Sequence, residues 1–571
     1  MKIHSILKAV LLTALALCLA LGCVLTAAAA NSSLPPATGS LTIHKYVMPD
    51  TSFAGAPYDG TVVPPESLPE TAVPLNGVEF KLYKLTIPAG GTVPSDAVFP
   101  DPGYLFESYL NPLVLRSDGI DYPLSFVTSV TTAGGTAGNP LGVATASNLA
   151  QGFYLVVEQP NEKVVNPCAP FVLAVPMTNA DGDGWIQDVH VYPKNEDVSL
   201  HKQNNKTVVD LGDTVTWTVT SSVPTDVAAF SKFDIVDPLD EALDFNLTAL
   251  PNSAILKLEG LQAESDASGT PIDPALYDVT LESVQDLPTP AGAHTEHRKT
   301  LRVSFKKSGS FTLPSGESAP AVPGILANYK FIRMTFVTTV NEKILNRADY
   351  TVWNGAKIEL TNRYGQEKER ISEEQAVHTA KIIINKIDAN TGIGANVNGA
   401  QFKLATSEAN ANNGHYIHVV REGNSPTGAI IRVCDYGESG YNDVGMTDWV
   451  ETASGGTATL PAIAVFAGLQ DYTESSVEGD KTYLSYWIVE TQAPGGYNLL
   501  SAPVKLSFTA DSKVAEVNHT IECVVKNTTD FELPNTGGIG TILFTAGGIL
   551  LLGAAVALVV IALKKRKGST D

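Results

Sequence analysis

Cysteine is scarce in this chain, five in 571 residues. Cys18 and Cys23 fall within the first thirty residues, which leaves Cys168, Cys434 and Cys523. Three cysteines are too few for a disulfide scaffold, and the odd count leaves at least one thiol unpaired within a monomer. Cys434 and Cys523 can pair within one module, although no spacing fixes this. Basic residues are also few: 38 Lys and Arg against 60 Asp and Glu give a net charge of −22. Both ends are basic, so omitting residues 1–30 and 537–571 takes the net charge to −27. Such a surface repels nucleic acid and anionic lipid, which excludes binding to a phosphate backbone. The ten histidines are scattered and, with the cysteines, show no zinc-like spacing. "NADGDGW" (Asn179 to Trp185) begins with Asn where a calcium loop wants Asp, and reaches His190 where it wants Glu. It reads as a tight hairpin turn. There is no GxSxG, no phosphate-binding loop and no hydrolase carboxylate pair, so no metal, cofactor or enzymatic site is assigned.

Long amphipathic helical stretches are missing too. What is present is Thr, Val, Gly and Pro in alternating apolar runs, the composition of β-sandwich modules. The length allows three or four domains, each with its own core.

Long apolar runs occur only at the two ends. Residues 1–30 read as a secretory signal: Lys2 and Lys8, an apolar stretch from Ala9 to about Leu25, then "TAAAANSS" with small residues for cleavage near Ala30. Residues 539–563 carry no charge and are long enough to span a bilayer, and the basic tail 564–571 holds the C-terminal side in the cytoplasm. Immediately before the span stands Leu533-Pro534-Asn535-Thr536-Gly537. The order of pentapeptide, apolar span and basic tail resembles the cell-wall sorting signal of Gram-positive surface proteins. The resemblance implies that a sortase cysteine attacks the Thr536 carbonyl, breaks the Thr536–Gly537 bond and holds the chain as a thioester. Pro534 bends the peptide and Gly537 leaves room at the scissile bond.

Three strand patterns repeat. "LTIHKYV" (Leu41 to Val47) is echoed by "IIINKID" (Ile382 to Asp388), and "LNGVEFKLYKL" (Leu75 to Leu85) by "VNGAQFKLATS" (Val397 to Ser407). "FYLVVEQP" (Phe153 to Pro160) is echoed by "YWIVETQAPGGY" (Tyr486 to Tyr497). Related modules therefore occupy 31–195 and 378–530, and a module of different signature ("DTVTWTVTSSV", "FDIVDPLDEAL") fills 199–376. As a whole the chain resembles the backbone, or shaft, pilins of sortase-assembled Gram-positive pili. The resemblance implies an all-β fold of tandem immunoglobulin-like sandwiches, with CnaB-like first and third modules and a CnaA-like middle one. Its implied partners are a pilus-specific sortase, other copies of the chain, tip and basal pilins, peptidoglycan and host receptors, with no nucleic acid. A monomeric wall-anchored adhesin built from the same sandwiches is the alternative.

In "KIIINKID" alternation puts Ile382, Ile384 and Lys386 on one face, yet lysine is rarely buried without a partner. In the pilins resembled here, such a lysine forms an amide with an asparagine on the last strand, assisted by a buried acid. Burial favours the neutral amine and the protonated acid, and the acid can then move protons while ammonia leaves. The residues that match are Lys386, Glu490 and Asn527 in the third module, where "ETQAPGGY" matches the family's E-box. In the middle module they are Lys202, Asp237 and Asn346, with Asp234, Lys206 and Asn362 competing. In the first module Lys45, Glu158 and Asn195 fit, and Glu158 to Asn195 spans 37 residues, as Glu490 to Asn527 does. "EQPNEK" departs from the E-box after Glu158, so a salt bridge without a bond is the other reading there. In "WIQDVHVYPKNE" the residues Trp185, Val189, Val191, Tyr192, Pro193, Lys194 and Asn195 match the pilin motif. That match implies that the Lys194 amine takes over Thr536 of another subunit.

Overall fold

The computed structural model describes residues 34–48, 59–64, 67–68, 72–93, 114–117, 120–134, 141–168, 170–283, 297–313, 317–347, 349–474, 481–509, 519–529 and 540–567. The expected signal peptide and the sorting residues Leu533 to Gly537, including Thr536, lie outside the described residues. The chain divides into two compact units. The first comprises Met1–Thr207, Thr214–Thr339 and Val352–Ala376; the second comprises Val208–Asp213, Val340–Thr351 and Val377–Asp571.

The first unit holds two sandwiches. β1 (Thr38–His44) buries Leu41 and Ile43 completely, and the same phase continues to Lys45. β1 is the centre of a three-stranded sheet, antiparallel to Val143–Ala150 and parallel to Asp188–Val191. β2 (Tyr46–Met48) prolongs the line beyond Lys45. Gly142 has φ +73°, and a Cβ there would lie 2.6 Å from the Lys45 carbonyl oxygen, so the close approach of these strands requires glycine. The facing five-stranded sheet includes Glu79–Leu85 and β3 (Gly152–Glu158). β4 (Lys194–Glu196) runs parallel to β2, with Lys194 opposite Tyr46 and Asn195 opposite Val47. Leu41, Ile43, Phe80, Leu82, Tyr154, Val156 and Val189 form the core between the sheets.

In the second sandwich β5 (Leu200–Asn204) lies at the edge of a sheet containing Thr214–Ser222, Phe331–Val340 and Leu256–Leu261. Residues 331–340 bury every second side chain, Ile332, Met334, Phe336 and Thr338 among them, the period of a strand with one face on the core. β6 (Lys232–Asp240) is the middle of the five-stranded sheet facing it and is buried along nearly its whole length. β7 (Thr351–Asn354) is short, because Tyr350 before it turns at φ +53° and Gly355 follows.

The second unit repeats the layout of the first sandwich. β8 (Ala380–Asp388) fully buries Ile382, Ile384 and Lys386. It is central in a three-stranded sheet, antiparallel to Ala462–Leu469 and parallel to a strand from the module's far end. The facing sheet contains Gln401–Ala405 and β9 (Ser485–Gln492). β10 (Thr520–Asn527) is the parallel partner of β8. The helix α1 (Gly540–Lys567) contains a stretch, Thr545–Lys565, long and apolar enough to cross a membrane. It starts one residue after, and ends four after, the span expected from the sequence. Among the described residues the fold is all-β with this one long apolar helix. Cys168, Cys434 and Cys523 are all free, so Cys434 and Cys523 are not paired. At "NADGDGW", Met177–Thr178 pairs with Trp185–Ile186, and Asn179 Oδ1 accepts from the Asp183 and Gly184 amides: a hairpin turn.

Candidate functional site

Among the described residues, three lysines have no exposed side-chain surface: Lys45, Lys202 and Lys386. An isolated ammonium in such a place is costly, so what faces each one decides what it can do.

In the third module Lys386 Nζ donates to Asn527 Oδ1 and lies 3.2 Å from Glu490 Oε1. Asn527 Nδ2 donates at 2.9 Å to both Glu490 oxygens and to the Asn498 carbonyl. The acid is fixed from behind by the Leu500 amide, 3.0 Å from Oε2. The Phe402 ring, 5.9 Å from Nζ, helps keep water away. Burial pushes the Lys386 amine down from its usual value, against the pull of Glu490. The side chains come from β8, β9 and β10, so they meet only when both sheets are assembled.

The first module contains the same arrangement. Lys45 Nζ donates to Asn195 Oδ1 and, at 2.8 Å, to Glu158 Oε2, and Asn195 Nδ2 donates to Glu158 Oε1 at 2.5 Å. The Cys168 amide, 3.0 Å from Glu158 Oε2, stands ten residues after its glutamate, as Leu500 stands ten after Glu490. Cys168 thus contributes a backbone donor, a role no side-chain pattern could disclose. Burial, with Glu158 reinforcing it, pushes its thiol far up, so the sulfur stays protonated. The two modules also share a register. Asn195 pairs with Val47 and Asn527 with Asp388, in each case two residues beyond the lysine.

The middle module differs. Lys202 Nζ donates to Asp237 Oδ2 and, at 3.4 Å, to the Gly355 carbonyl. The Trp217 and Phe336 rings lie 5.1 and 5.3 Å from it, and burial pushes its amine down against the pull of Asp237. Asn346, expected here from the sequence, is exposed at the end of the 3-10 turn Glu342–Asn346. Directly before Gly355, whose carbonyl Lys202 reaches, stands a buried asparagine, Asn354, the last residue of β7. It is wholly buried, and neither its Oδ1 nor its Nδ2 has a hydrogen-bond partner. A buried carboxamide with both polar atoms unsatisfied is costly unless it has chemistry to do. The competing choices are engaged elsewhere: Asp234 pairs with Arg302 at 3.2 Å. Asn362 donates to the Val165 carbonyl and accepts from the Tyr364 and Gln366 amides.

Lys194 occupies the first position of β4, directly before buried Asn195; its side chain lies outside the described residues. In the first and third clusters a lysine nitrogen meets an asparagine carboxamide and a carboxylic acid in a dry pocket, a set suited to exchanging one amide nitrogen for another; in the middle one the lysine meets the acid, and a buried, unsatisfied asparagine stands next to its carbonyl partner Gly355.

A multi-sheet exterior with such clusters, a wall-sorting pentapeptide and a terminal apolar helix define an anchored Gram-positive surface protein. Residues 36–100 and 107–196 match the Gram-positive pilin subunit D1, N-terminal domain, and residues 525–569 match the LPXTG cell wall anchor motif. The chain thus carries a Gram-positive pilin domain in its first module and a cell-wall anchor at its C-terminal end, and is a surface protein carried on the cell wall and held in the membrane before processing. It is 26% identical to the type 2 fimbrial subunit of Actinomyces naeslundii over 563 residues, covering 94% of this chain and 91% of that protein. It is 25% identical to the type 1 fimbrial subunit of Actinomyces viscosus over 542 residues, 91% and 90% of the two chains. Among solved structures, the full-length major pilin SpaD of Corynebacterium diphtheriae matches with 22% identity and a TM-score of 0.47, over 88% of this chain and 99% of that one.

Proposed function

We propose that the chain is the repeating shaft subunit of a covalent pilus, joined head to tail through Thr536 of one copy and Lys194 of the next. Inside each subunit, three amides form between Lys45 and Asn195, Lys202 and Asn354, and Lys386 and Asn527. In each, the neutral lysine Nζ attacks the asparagine Cγ. The new C–N bond forms, the Cγ–Nδ2 bond breaks and ammonia leaves. Glu158, Asp237 or Glu490 carries the proton from the incoming amine to the departing nitrogen. Each group reacts once on its own chain, so the protein is not an enzyme in the turnover sense. Between subunits, sortase-held Thr536 is transferred to the Lys194 amine and the sortase cysteine leaves as a thiol.

The observation that carries this reading is the position of Lys194. It is bracketed by the parallel pairing of β4 with β2 and stands next to Asn195, so the site where a neighbour would attach is rooted in a crosslinked core. In the native host, Lys194→Ala should collapse the boiling-resistant ladder of cell-wall extracts to a single band while wall anchoring persists. Polymers surviving in that variant overturn the assignment and make Lys206 the next residue to test, since Lys202 is buried. A single band in the unmodified strain identifies a monomeric adhesin instead.

A further inference from the structure

The second unit holds a group of side chains that the proposed amide chemistry leaves unused. His378 closes the strand Gln375–His378, Asp471 sits in the turn after Ala462–Leu469, and His519 stands directly before β10. His378 Nε2 lies 3.1 Å from Asp471 Oδ1, and His519 Nδ1 lies 3.1 Å from Asp471 Oδ2. His378 and Asp471 are buried, and the His519 side chain is 20% exposed. One ligand atom from each of the three lies within 4.8 Å of the others.

We propose that His378, Asp471 and His519 form a binding site for a divalent transition-metal ion of the zinc class. Two imidazole nitrogens and one carboxylate oxygen are a donor set such ions take, with a fourth position left for water. Ligands about 2.0–2.1 Å from a tetrahedral ion lie about 3.3 Å from one another. Here each imidazole nitrogen lies 3.1 Å from a different oxygen of Asp471, so the carboxylate bridges the two rings, and one donor atom from each residue, all within 4.8 Å, closes onto the ion by a small shift. Lys481, with Nζ 4.1 Å over the Tyr472 ring, brings a positive charge near enough to act on Asp471 and His378, and the ion must outweigh it. The imidazole rings stack with centroids 3.6 Å apart and planes 16° apart, so their nitrogen lone pairs lie in separate, nearly parallel planes. Both reach one ion when the partly exposed ring of His519 turns out of the stack about χ2, a soft terminal torsion.

The location gives such an ion a task. β8 and β10 run parallel from the pair Lys381–Thr520 to the pair Asp388–Asn527, with the Lys381 amide bonded to the His519 carbonyl at 3.0 Å. Lys386 and Asn527 meet at the far end of this strand pair; the histidines and Asp471 stand at its beginning. An ion there ties the entry to β8, the entry to β10 and the turn after Ala462–Leu469 to one another, so that both ends of the strand pair are clamped.

The test uses the full chain purified in detergent, stripped with a chelator, dialysed and titrated with Zn2+ alone by calorimetry. Co2+ serves as a spectroscopic probe. The expected result is one saturable equivalent, an intense tetrahedral Co2+ absorption and a raised unfolding temperature of the third module. His519→Gln and Asp471→Asn should each weaken binding at least tenfold, whereas His415→Gln, in the same unit, should leave it unchanged. No saturable equivalent in the unmodified chain, the absence of the tetrahedral spectrum, or full-strength binding in both variants overturns the proposal. The Co2+ spectrum of the unmodified chain decides the matter even where a variant fails to fold.

Discussion

Lys45 and Asn195 meet in the core of the first sandwich across 150 residues of chain, and the residue before Asn195 is Lys194. The group that can crosslink the first module is therefore one peptide bond from the lysine proposed to receive the neighbouring subunit. The sequence left open whether this module holds a bond or a salt bridge. A salt bridge would need only Lys45 and Glu158. The asparagine amide held between them, and the second donor from Cys168, are what amide exchange needs.

The first prediction follows from this. With all three amides formed, the intact mass should fall about 51 Da below the sequence mass of the processed chain, one ammonia per bond. Glu158→Ala should restore one ammonia, about 17 Da, beyond the change in side-chain mass. In the chain-entropy description, a crosslink closing a loop of this size contributes about 5 kcal/mol, so the variant's first module should also melt earlier. High-resolution mass spectrometry checks it, and an unshifted wild-type mass rules the bonds out.

The second prediction separates two asparagines eight positions apart. Asn354→Ala should abolish one ammonia loss and leave the Lys202–Asp237 pair without its third member. The lost crosslink should cost about 5 kcal/mol in the middle module. Asn346→Ala, at an exposed turn, should change stability by less than about 0.5 kcal/mol and leave the mass loss intact. Thermal melts and intact masses of the two variants decide between them.

The contrast shows where the sequence stops being informative. Alternation selected Asn346 because it shares a phase with Ala348, Tyr350 and Val352, and that phase also contains Asn354. The parity was readable; the start of the strand was not. Tyr350 at φ +53° resets the chain, so pairing begins only at Thr351. In the first and third modules Lys45, Glu158 and Asn195, like Lys386, Glu490 and Asn527, were legible because each lies inside or directly beside a regular strand whose period is set by burial. The backbone donors at Cys168 and Leu500 were not, since any residue supplies an N–H. His378, Asp471 and His519 had no spacing to betray them: three separate segments bring them together, and only strand register does so.

A third prediction concerns pH. In Asn527→Ala no amide can form and Lys386 keeps a free amine, which burial holds below its ordinary value. The unfolded chain then binds more protons than the folded one between that lowered value and about 10.4, so stability rises with pH across this window. Below the window both states are protonated and the full penalty of burying the charge remains. The melting temperature of the third module should climb as the pH rises toward about 10 in this variant. It should stay level in the wild type, where the nitrogen is an amide, and in the double variant Lys386→Met, Asn527→Ala. A level profile in the single variant would show that Lys386 is not held down by burial.

The fourth prediction follows the line of force. In the proposed fibre, load entering at Lys194 passes through the short segment to Lys202, crosses the proposed amide to Asn354, runs on to Lys386, crosses the proposed amide to Asn527 and leaves at Thr536. The residues between Lys202 and Asn354, and the 141-residue separation between Lys386 and Asn527, are bypassed. The amide between Lys45 and Asn195 lies outside this path, because the chain before Lys194 carries no tension. The three bonds should therefore behave differently when single fibres are pulled. Asn527→Ala should release an extra extension of about 490 Å, the contour of the freed loop at roughly 3.5 Å per residue. Asn354→Ala should release a similar length from the middle module. Glu158→Ala should release none, although its first module melts earlier and is cut faster by protease. Force spectroscopy on fibres of the three variants distinguishes these outcomes. An added unfolding step in Glu158→Ala would mean that tension enters upstream of Lys194, and with it the proposed linkage site would fall.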